Sequence, residues 1–232
     1  MSARMPLLLL PGLLCDARIW RDQVQALADI ADATVPDLRA DDSIAAMAAR
    51  VLDAAPARFA LAGLSMGGYV AFEILRQQPR RVLRLALFDT SAAPDTPERA
   101  RQRRMGIAAM QQGRFVGVTR QLLPRLVQAR HVDGAVGAEV QAMAQRVGPE
   151  AYLRQQTAIL GRGDARPLLA SIAVPTLVVV GREDVMTPPA ESEAIAQAIP
   201  GARLHTLPDC GHLPPMEQPA LASGLLRDWL LR

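Results

Sequence analysis

The sequence predicts an α/β domain: a doubly wound, mostly parallel β-sheet with helices on both faces, interrupted by a helical insertion. Three features predict it. Apolar runs and helical patterns alternate from Pro6 to Asp89 in the order β-α-β-α-β-α-β. The alternation stops between Ser91 and Asp164, where helical patterns with polar faces follow one another. It resumes at Thr176 and continues to the end of the chain. With 232 residues there is room for one such domain and a sizeable core. The expected division is a core of residues 1–90 and 165–232, with residues 91–164 forming a helical cap over the carboxyl edge of the sheet.

Pro6 to Leu10 is continuously hydrophobic and ends at Pro11-Gly12, the pattern of a strand buried on both faces. Asp16 to Asp29 carries Ile19, Trp20, Val24 and Leu27 at helical spacing, and Ala33 to Val35 reads as a short strand. Ser43 is a plausible N-cap for a helix from Ile44 to Ala54, whose Ile44, Met47 and Val51 share one face. Phe59 to Leu64 reads as a buried strand, Met66 to Leu75 as a helix, and Val82 to Phe88 as another strand. Gly113, Pro124, Gly134 and Gly148-Pro149 divide the helical insertion. Beyond it come a strand from Thr176 to Val180, a helix from Glu191 to Ile199, a strand from Arg203 to Leu207 and an amphipathic helix from Leu221 to Leu231. At the N-terminus, Arg4 precedes Leu7 to Leu10, but that run is short for the core of an export signal. Leu14 before Cys15 also lacks the small residue of a lipoprotein cleavage site. A first core strand and a cytoplasmic location are the expectation.

Composition removes several chemistries. Half of the residues are hydrophobic but only 3% are aromatic, and 26 basic side chains nearly balance 23 acidic ones for a net charge of +3. That is too mild a charge and too few aromatics for a nucleic-acid protein. Lysine is absent, which excludes Schiff-base chemistry, a phosphate-loop lysine and a Ser-Lys dyad. Asparagine is absent too, which removes a Cys-His-Asn arrangement. Cys15 and Cys210 alone do not make a disulfide framework or a cysteine-rich metal site. No segment has the length to span a membrane.

The most informative stretch is Gly63-Leu64-Ser65-Met66-Gly67, a G-x-S-x-G pattern between a strand and a helix. A strand that turns directly into a helix at a serine holds that residue in a strained conformation. It presents the hydroxyl outward and aims the helix N-terminal amides toward it. Gly63 and Gly67 lack a Cβ, so strand and helix can approach closely. A serine hydroxyl needs a base within hydrogen-bond reach, oriented in turn by a third group. Of the three histidines, His131 falls in the helical insertion and His205 inside a strand pattern. His212 follows a strand's carboxyl end in a Gly-containing loop, on the edge where open α/β sheets place ligands. Asp184 lies on that edge after the preceding strand. Asp89 is a rival acid there, and Asp184 is favoured by the chain order Ser65, Asp184, His212. The oxyanion needs two backbone donors. Met66 N–H is one expectation, and Leu13 N–H, in the loop after the first strand, is the other.

On Gly63-Leu64-Ser65-Met66-Gly67-Gly68, on Gly181-Arg182-Glu183-Asp184 with Pro188 following, and on Gly211-His212, the chain resembles α/β-hydrolase fold proteins of the small capped type. It is similar to bacterial carboxylesterases, pimeloyl-carrier-protein methyl ester esterases, enol-lactonases and cofactor-free haloperoxidases. The resemblance implies a serine hydrolase acting on a small-molecule ester or lactone, without cofactor, metal, nucleic acid or membrane, as a monomer or homodimer. Lactone opening, C–C hydrolysis, perhydrolysis, a lyase reaction or ligand binding without turnover remain open on the same residues. Two departures stand out. Pro11-Gly12 stands where the usual oxyanion loop has His-Gly. The resemblance also implies that the first strand read here corresponds to the family's third, so a shortened N-terminus without the leading antiparallel hairpin is the expectation. In the insertion, Arg99, Arg101, Arg103 and Arg104 make a basic run, which Arg114, Arg120 and Arg125 could extend. It reads either as a solvated helix face or as a collar for an anionic substrate tail. Met66, Met105 and Met110 are candidates either for lining a pocket or for filling the core. Cys15 reads as a small buried hydrophobe rather than a second nucleophile.

Overall fold

The computed structural model describes residues 4–232; residues 1–3, at the head of the segment weighed as an export signal, lie outside the described residues. Six strands form one sheet: β1 (Met5–Leu10), β2 (Ala31–Thr34), β3 (Phe59–Leu64), β4 (Val82–Phe88), β5 (Thr176–Gly181) and β6 (Arg203–Leu207). Their order is β2-β1-β3-β4-β5-β6, and every pairing is parallel. The run direction reverses after β2, so the chain winds first one way and then the other from β1. Side-chain alternation assigns each face its own core. Leu7 and Leu9 of β1 and Ala60, Ala62 and Leu64 of β3 join one apolar cluster, with Trp20 and Phe88 edge to face at 5.4 Å. Leu8, Leu10, Phe59 and Leu61 join the other, against Met47, Val70 and Phe72. Continuous apolar strands are what a sheet covered on both faces requires.

The helices between strands are α1 (Arg21–Ala26), α2 (Ile44–Ala54) and α3 (Met66–Gln77). α2 has the expected bounds, with the Ser43 hydroxyl accepting from Ala46 N–H at 3.2 Å. The helix expected over Asp16 to Asp29 is shorter and divided. Asp16 caps a 3-10 turn over Ala17–Trp20, and α1 follows. The Trp20 indole N–H donates to Leu10 O at 3.1 Å, which ties that turn to the end of β1. β2 begins two residues before the expected Ala33, because Met5 to Leu8 set its register as an edge strand.

Between β4 and β5 lie α4 (Pro97–Gln111), α5 (Leu123–Leu126), α6 (Ala129–Val132), α7 (Ala135–Leu160) and α8 (Arg166–Leu169). Gly113 (φ 73°) ends α4, Gly134 precedes α7, and Gly148 (φ 79°) with Pro149 kinks α7. The kink lets one helix serve both cores: Val140 to Ala151 pack into the first cluster, Ala158 and Ile159 into the second. Asp95, with its side chain buried, accepts from Arg103 of α4 at 2.6 Å and pairs with Arg162 after α7 at 2.9 Å. The Arg162 guanidinium stacks 4.3 Å over the Tyr69 ring of α3. Three short or terminal elements complete the fold: α9 (Pro189–Ala198), α10 (Pro214–Glu217) and α11 (Pro219–Leu231). Among the described residues no helix is long and apolar enough to cross a membrane.

Candidate active site

Ser65 joins β3 to α3 with φ 52° and ψ −114°, a left-handed backbone that a non-glycine residue adopts only under strain of about 1–3 kcal/mol. The surroundings enforce it. Ser65 N–H donates to Phe88 O at 2.9 Å, and Ser65 O accepts from the Thr90 hydroxyl at 2.8 Å and from Gly68 N–H at 2.9 Å. The glycines are steric requirements. A Cβ on Gly63 would stand 2.4 Å from Gly67 O, and one on Gly67 would stand 2.3 Å from Leu10 O. Strand, helix and β1 therefore meet backbone to backbone beneath the serine.

His212 and Asp184 come from the loops after β6 and β5, and the structure brings both to Ser65. His212 Nε2 is 3.0 Å from Ser65 Oγ, and His212 Nδ1 is 2.8 Å from Asp184 Oδ2. Asp184 is buried, with its Oδ1 accepting from Met186 and Thr187 N–H at 2.7 and 3.2 Å. Its Oδ2 accepts from the Thr187 hydroxyl at 2.7 Å. Burial opposes its ionisation, but the His212 ring and these donors outweigh it and hold the carboxyl below the usual range. Thr187 is a residue that sequence reasoning missed. So is Glu217, buried under the histidine loop. It accepts from the amides of Gln128 (2.7 Å), Gly211 (3.1 Å) and Leu213 (3.0 Å). His212 N–H itself donates to Leu126 O at 3.0 Å, so α5 and the segment after it hold the loop from the other side. One signal for Glu217 was present: it is the only charged side chain between Cys210 and Gln218.

Asp89 is fully buried beside this pair, with φ 42°. Its Oδ1 accepts from Gly181 N–H at 2.9 Å, while its other carboxyl oxygen has no hydrogen-bond partner. Burial first, and the Asp184 charge second, push its carboxyl well above the usual range, opposite to the direction in which Asp184 is held. Asp89, Asp184 and His212 are also the one cluster among the described residues that could surround a cation, with ligand atoms within 4.8 Å of one another. The Nδ1–Oδ2 contact at 2.8 Å is an acid–imidazole hydrogen bond. The other histidines lie elsewhere: His205 is exposed on β6, and His131 bonds Arg130 at the protein surface.

Ser65 opens into a cavity of about 280 Å³, lined by Leu13, Tyr69, Met143, Met186 and His212 among others. The methionines at this cavity are Met143 and Met186. Met66 is buried in the core and Met105 is 63% exposed. Arg99 and Arg103 reach the cavity wall, but Arg99 pairs with Glu191 at 2.8 Å and Arg103 with Asp95, so neither presents an uncompensated charge. Arg101, Arg104, Arg114 and Arg120 are exposed, and Arg125 lies at the cavity rim. Leu13 lines the cavity, and among the described residues no acceptor is found for the Leu13 or Met66 amide. Cys15 is buried and its thiol is pushed up to about 12, by burial first and then by Asp16, which leaves it a neutral S–H.

A six-stranded parallel sheet of this order, with a strained serine and an imidazole at its carboxyl edge, defines the class of α/β hydrolases. The chain belongs to the alpha/beta hydrolase fold family, whose sequence model matches residues 5–219. Within it, the chain is an enzyme of the esterase kind. It is 31% identical over 181 residues to a pimeloyl-[acyl-carrier protein] methyl ester esterase of Neisseria meningitidis serogroup C, which covers 72% of this chain and 68% of that protein. Among solved structures, a thermophilic esterase from Thermogutta terrifontis, with malate bound, superposes with a TM-score of 0.90 at 33% identity over 100% of this chain and 91% of the other. The enol-lactonase from Burkholderia xenovorans LB400 gives 0.81 at 28% identity over 100% and 93%.

Proposed function

We propose that the protein is a serine hydrolase that cleaves a small-molecule carboxylic ester through an acyl-enzyme on Ser65. The observation that carries this reading is the continuous hydrogen-bonded line from Ser65 Oγ to His212 Nε2 (3.0 Å) and from His212 Nδ1 to Asp184 Oδ2 (2.8 Å). In the first step Ser65 Oγ attacks the ester carbonyl carbon while His212 Nε2 takes its proton. Asp184, kept ionised by its donors, fixes the ring so that Nε2 faces the serine and balances the imidazolium charge. The Leu13 and Met66 amides receive the developing oxyanion. The tetrahedral intermediate collapses as His212 returns the proton to the leaving alcohol. A water then enters, loses a proton to His212, and releases the acid from Ser65.

The cavity supports a mainly apolar acyl or alcohol group, with Met143 and Met186 as adaptable walls. Because Arg99 and Arg103 are neutralised by carboxylates, the solvated-face reading of the basic run is favoured over an anionic collar. In the same reading residues 91–164 act as the cap, since Leu122, Leu126 and Met143 close the cavity over Ser65, and a cytoplasmic setting fits the two free cysteines. Lactone opening requires the same attack and is the second reading, favoured by the likeness to the enol-lactonase.

The test is a hydrolysis profile over 4-nitrophenyl esters of rising acyl length, with a set of lactones beside it. Ser65→Ala is expected to lower kcat at least about 10³-fold and to abolish covalent labelling by an organophosphonate. Labelling that persists in Ser65→Ala would overturn the assignment.

A further inference from the structure

The loop that carries Leu13 has an unusual backbone. Cys15 N–H donates to Gly12 O at 3.2 Å, closing a four-residue turn whose central residues are Leu13 and Leu14. Leu14 has φ 57°, a value that the third position of a type II turn requires and that glycine or asparagine normally supplies. A leucine there favours the alternative turn, in which the Leu13–Leu14 peptide is rotated by about 180°. Something outside the turn must therefore hold that peptide.

Both of its ends are held. Leu14 is buried, and its N–H donates to Gln155 Oε1 at 3.0 Å. On the other side, Leu13 O accepts from the neutral Cys15 thiol at 3.5 Å. Gln155 is 0% exposed and is itself fixed, since its Nε2 donates to Leu38 O at 3.2 Å. Its backbone belongs to α7, within the insertion between β4 and β5 and 141 residues along the chain from Leu14. A buried amide side chain with both ends engaged is a rigid strut. The neighbouring Gln156 faces the other way and accepts from Arg103 at 2.7 Å.

We propose that Gln155 is a positioning residue for the oxyanion hole: from α7 its acceptor holds the buried Leu14 N–H and so fixes in place the turn that carries the Leu13 amide beside Ser65. In this chain Pro11-Gly12 begins the loop and Pro11 has no N–H to give, so the loop takes its lock from the helical insertion. The alternative turn would set the Leu13 carbonyl oxygen against Gln155 Oε1, two acceptors facing each other. Without that acceptor the buried Leu14 N–H would be unpaired, so the loop that also carries the Leu13 N–H would have to shift to find another partner. The inference rests on the serine-hydrolase reading above and adds to it that the insertion completes the catalytic machinery as well as covering it.

The experiment compares Gln155→Met, which keeps length but offers no acceptor, with Gln155→Glu, which keeps the acceptor for Leu14 and loses the donor to Leu38. Arg154→Gln is the control. Arg154 ties the same helix to Arg39 O at 2.8 Å without touching Leu14. Rates are taken per active site titrated by the acylation burst, so unfolded protein does not count. Gln155→Met is expected to lower kcat about 10–100-fold with KM within about twofold, because the interaction is made in the transition state. Its affinity for a trifluoromethyl ketone, which adds to the serine and forms an oxyanion, should weaken by a similar factor. Gln155→Glu should stay within about fivefold of the parent, and Arg154→Gln within about twofold. Parent-like kcat in Gln155→Met, or an equal loss in Arg154→Gln, would overturn the proposal. If Gln155→Met does not fold, Gln155→Glu decides alone: retained kcat with retained ketone affinity upholds the lock, and a 10–100-fold loss of both overturns it. A parent enzyme that shows neither burst nor ester hydrolysis would instead overturn the serine-hydrolase reading itself.

Discussion

The nucleophile elbow and the histidine loop sit on either side of one hydrogen bond, yet they are held in opposite ways. Ser65 is fixed from below by main chain and by missing side chains: Phe88 O, the Thr90 hydroxyl, and the contacts that Gly63 and Gly67 make possible. His212 is fixed from the side by a carboxylate and by a distant segment: Glu217 through three amides, and Leu126 O. The elbow must resist the strain of its own φ, which only dense backbone packing can do. The histidine carries no such strain and must instead keep its ring aimed while it gains and loses a proton. Directional hydrogen bonds suit that task. The difference teaches that steric damage should unfold the first region, whereas electrostatic damage should misaim the second.

The largest effect is expected from Gly67→Ala. In an exposed helix this change would stabilise by about 1 kcal/mol. Here the added Cβ would meet Leu10 O at 2.3 Å and Leu10 C at 2.7 Å, in the middle of the sheet, where no flexible side chain can yield. We expect a destabilisation of about 3 kcal/mol or more in urea unfolding, with activity lost. Unchanged stability would show that the elbow is not held by this approach of β1 to α3.

Glu217→Gln comes next and acts on the other side. The amide keeps one acceptor oxygen but turns an NH2 toward a backbone N–H, and the charge that strengthens all three bonds is gone. The expected cost is about 2 kcal/mol of stability. With the loop misaimed, kcat should fall about 10-fold while KM stays nearly constant. Ser65 should still react with an organophosphonate, only more slowly, because its own backbone is untouched. Lost stability with full kcat would mean that Leu126 O and Asp184 hold the histidine unaided.

The same contrast explains what could be read from the chain. The elbow is a local object, and its spacing, its buried strand and its two glycines lie within Phe59 to Gly68, as do the reasons for them. The strands from Phe59, Val82 and Arg203 and the helix from Ile44 were legible for the same reason, since each is a short period of apolar residues with a cap or a turn. Asp184 and His212 were legible through their placement after strands, which the parallel order confers on every loop at that edge. Gln155 and Thr187 were not, and Glu217 showed only as the lone acidic residue between Cys210 and Gln218. A glutamine in a helix of mixed polarity looks like any solvated residue until Leu14, far away in the chain, turns out to need an acceptor. The divided helix over Asp16 to Asp29 failed likewise, because Trp20 answers to Leu10 O rather than to its own helical period.

The smallest effect on activity is expected between the two regions, at Asp89, which follows β4 on the elbow's side and lies against the histidine's acid. Asp89→Asn keeps the shape and the acceptor for Gly181 N–H, and kcat should stay within about threefold of the parent, because burial and the Asp184 charge already oppose a charge at this position. Stability is the sharper readout. Burial, then the Asp184 charge, raise the Asp89 carboxyl, so the folded chain keeps a proton that the unfolded chain gives up near pH 4. That contribution is fully present below the unfolded value and is lost as pH rises toward the folded one, at up to about 1.4 kcal/mol per pH unit. Asp184 has the opposite sign: its depressed carboxyl contributes stability above the unfolded value and loses it as pH falls. Asp89→Asn removes only the first dependence. Relative to the parent, the variant should therefore gain stability as pH rises from 4, measured by urea midpoints at successive pH values. Parallel curves would show that Asp89 is ionised in the folded protein. The two carboxylates would then share the orienting of His212, and the elbow's side and the histidine's side would be coupled through charge rather than kept apart.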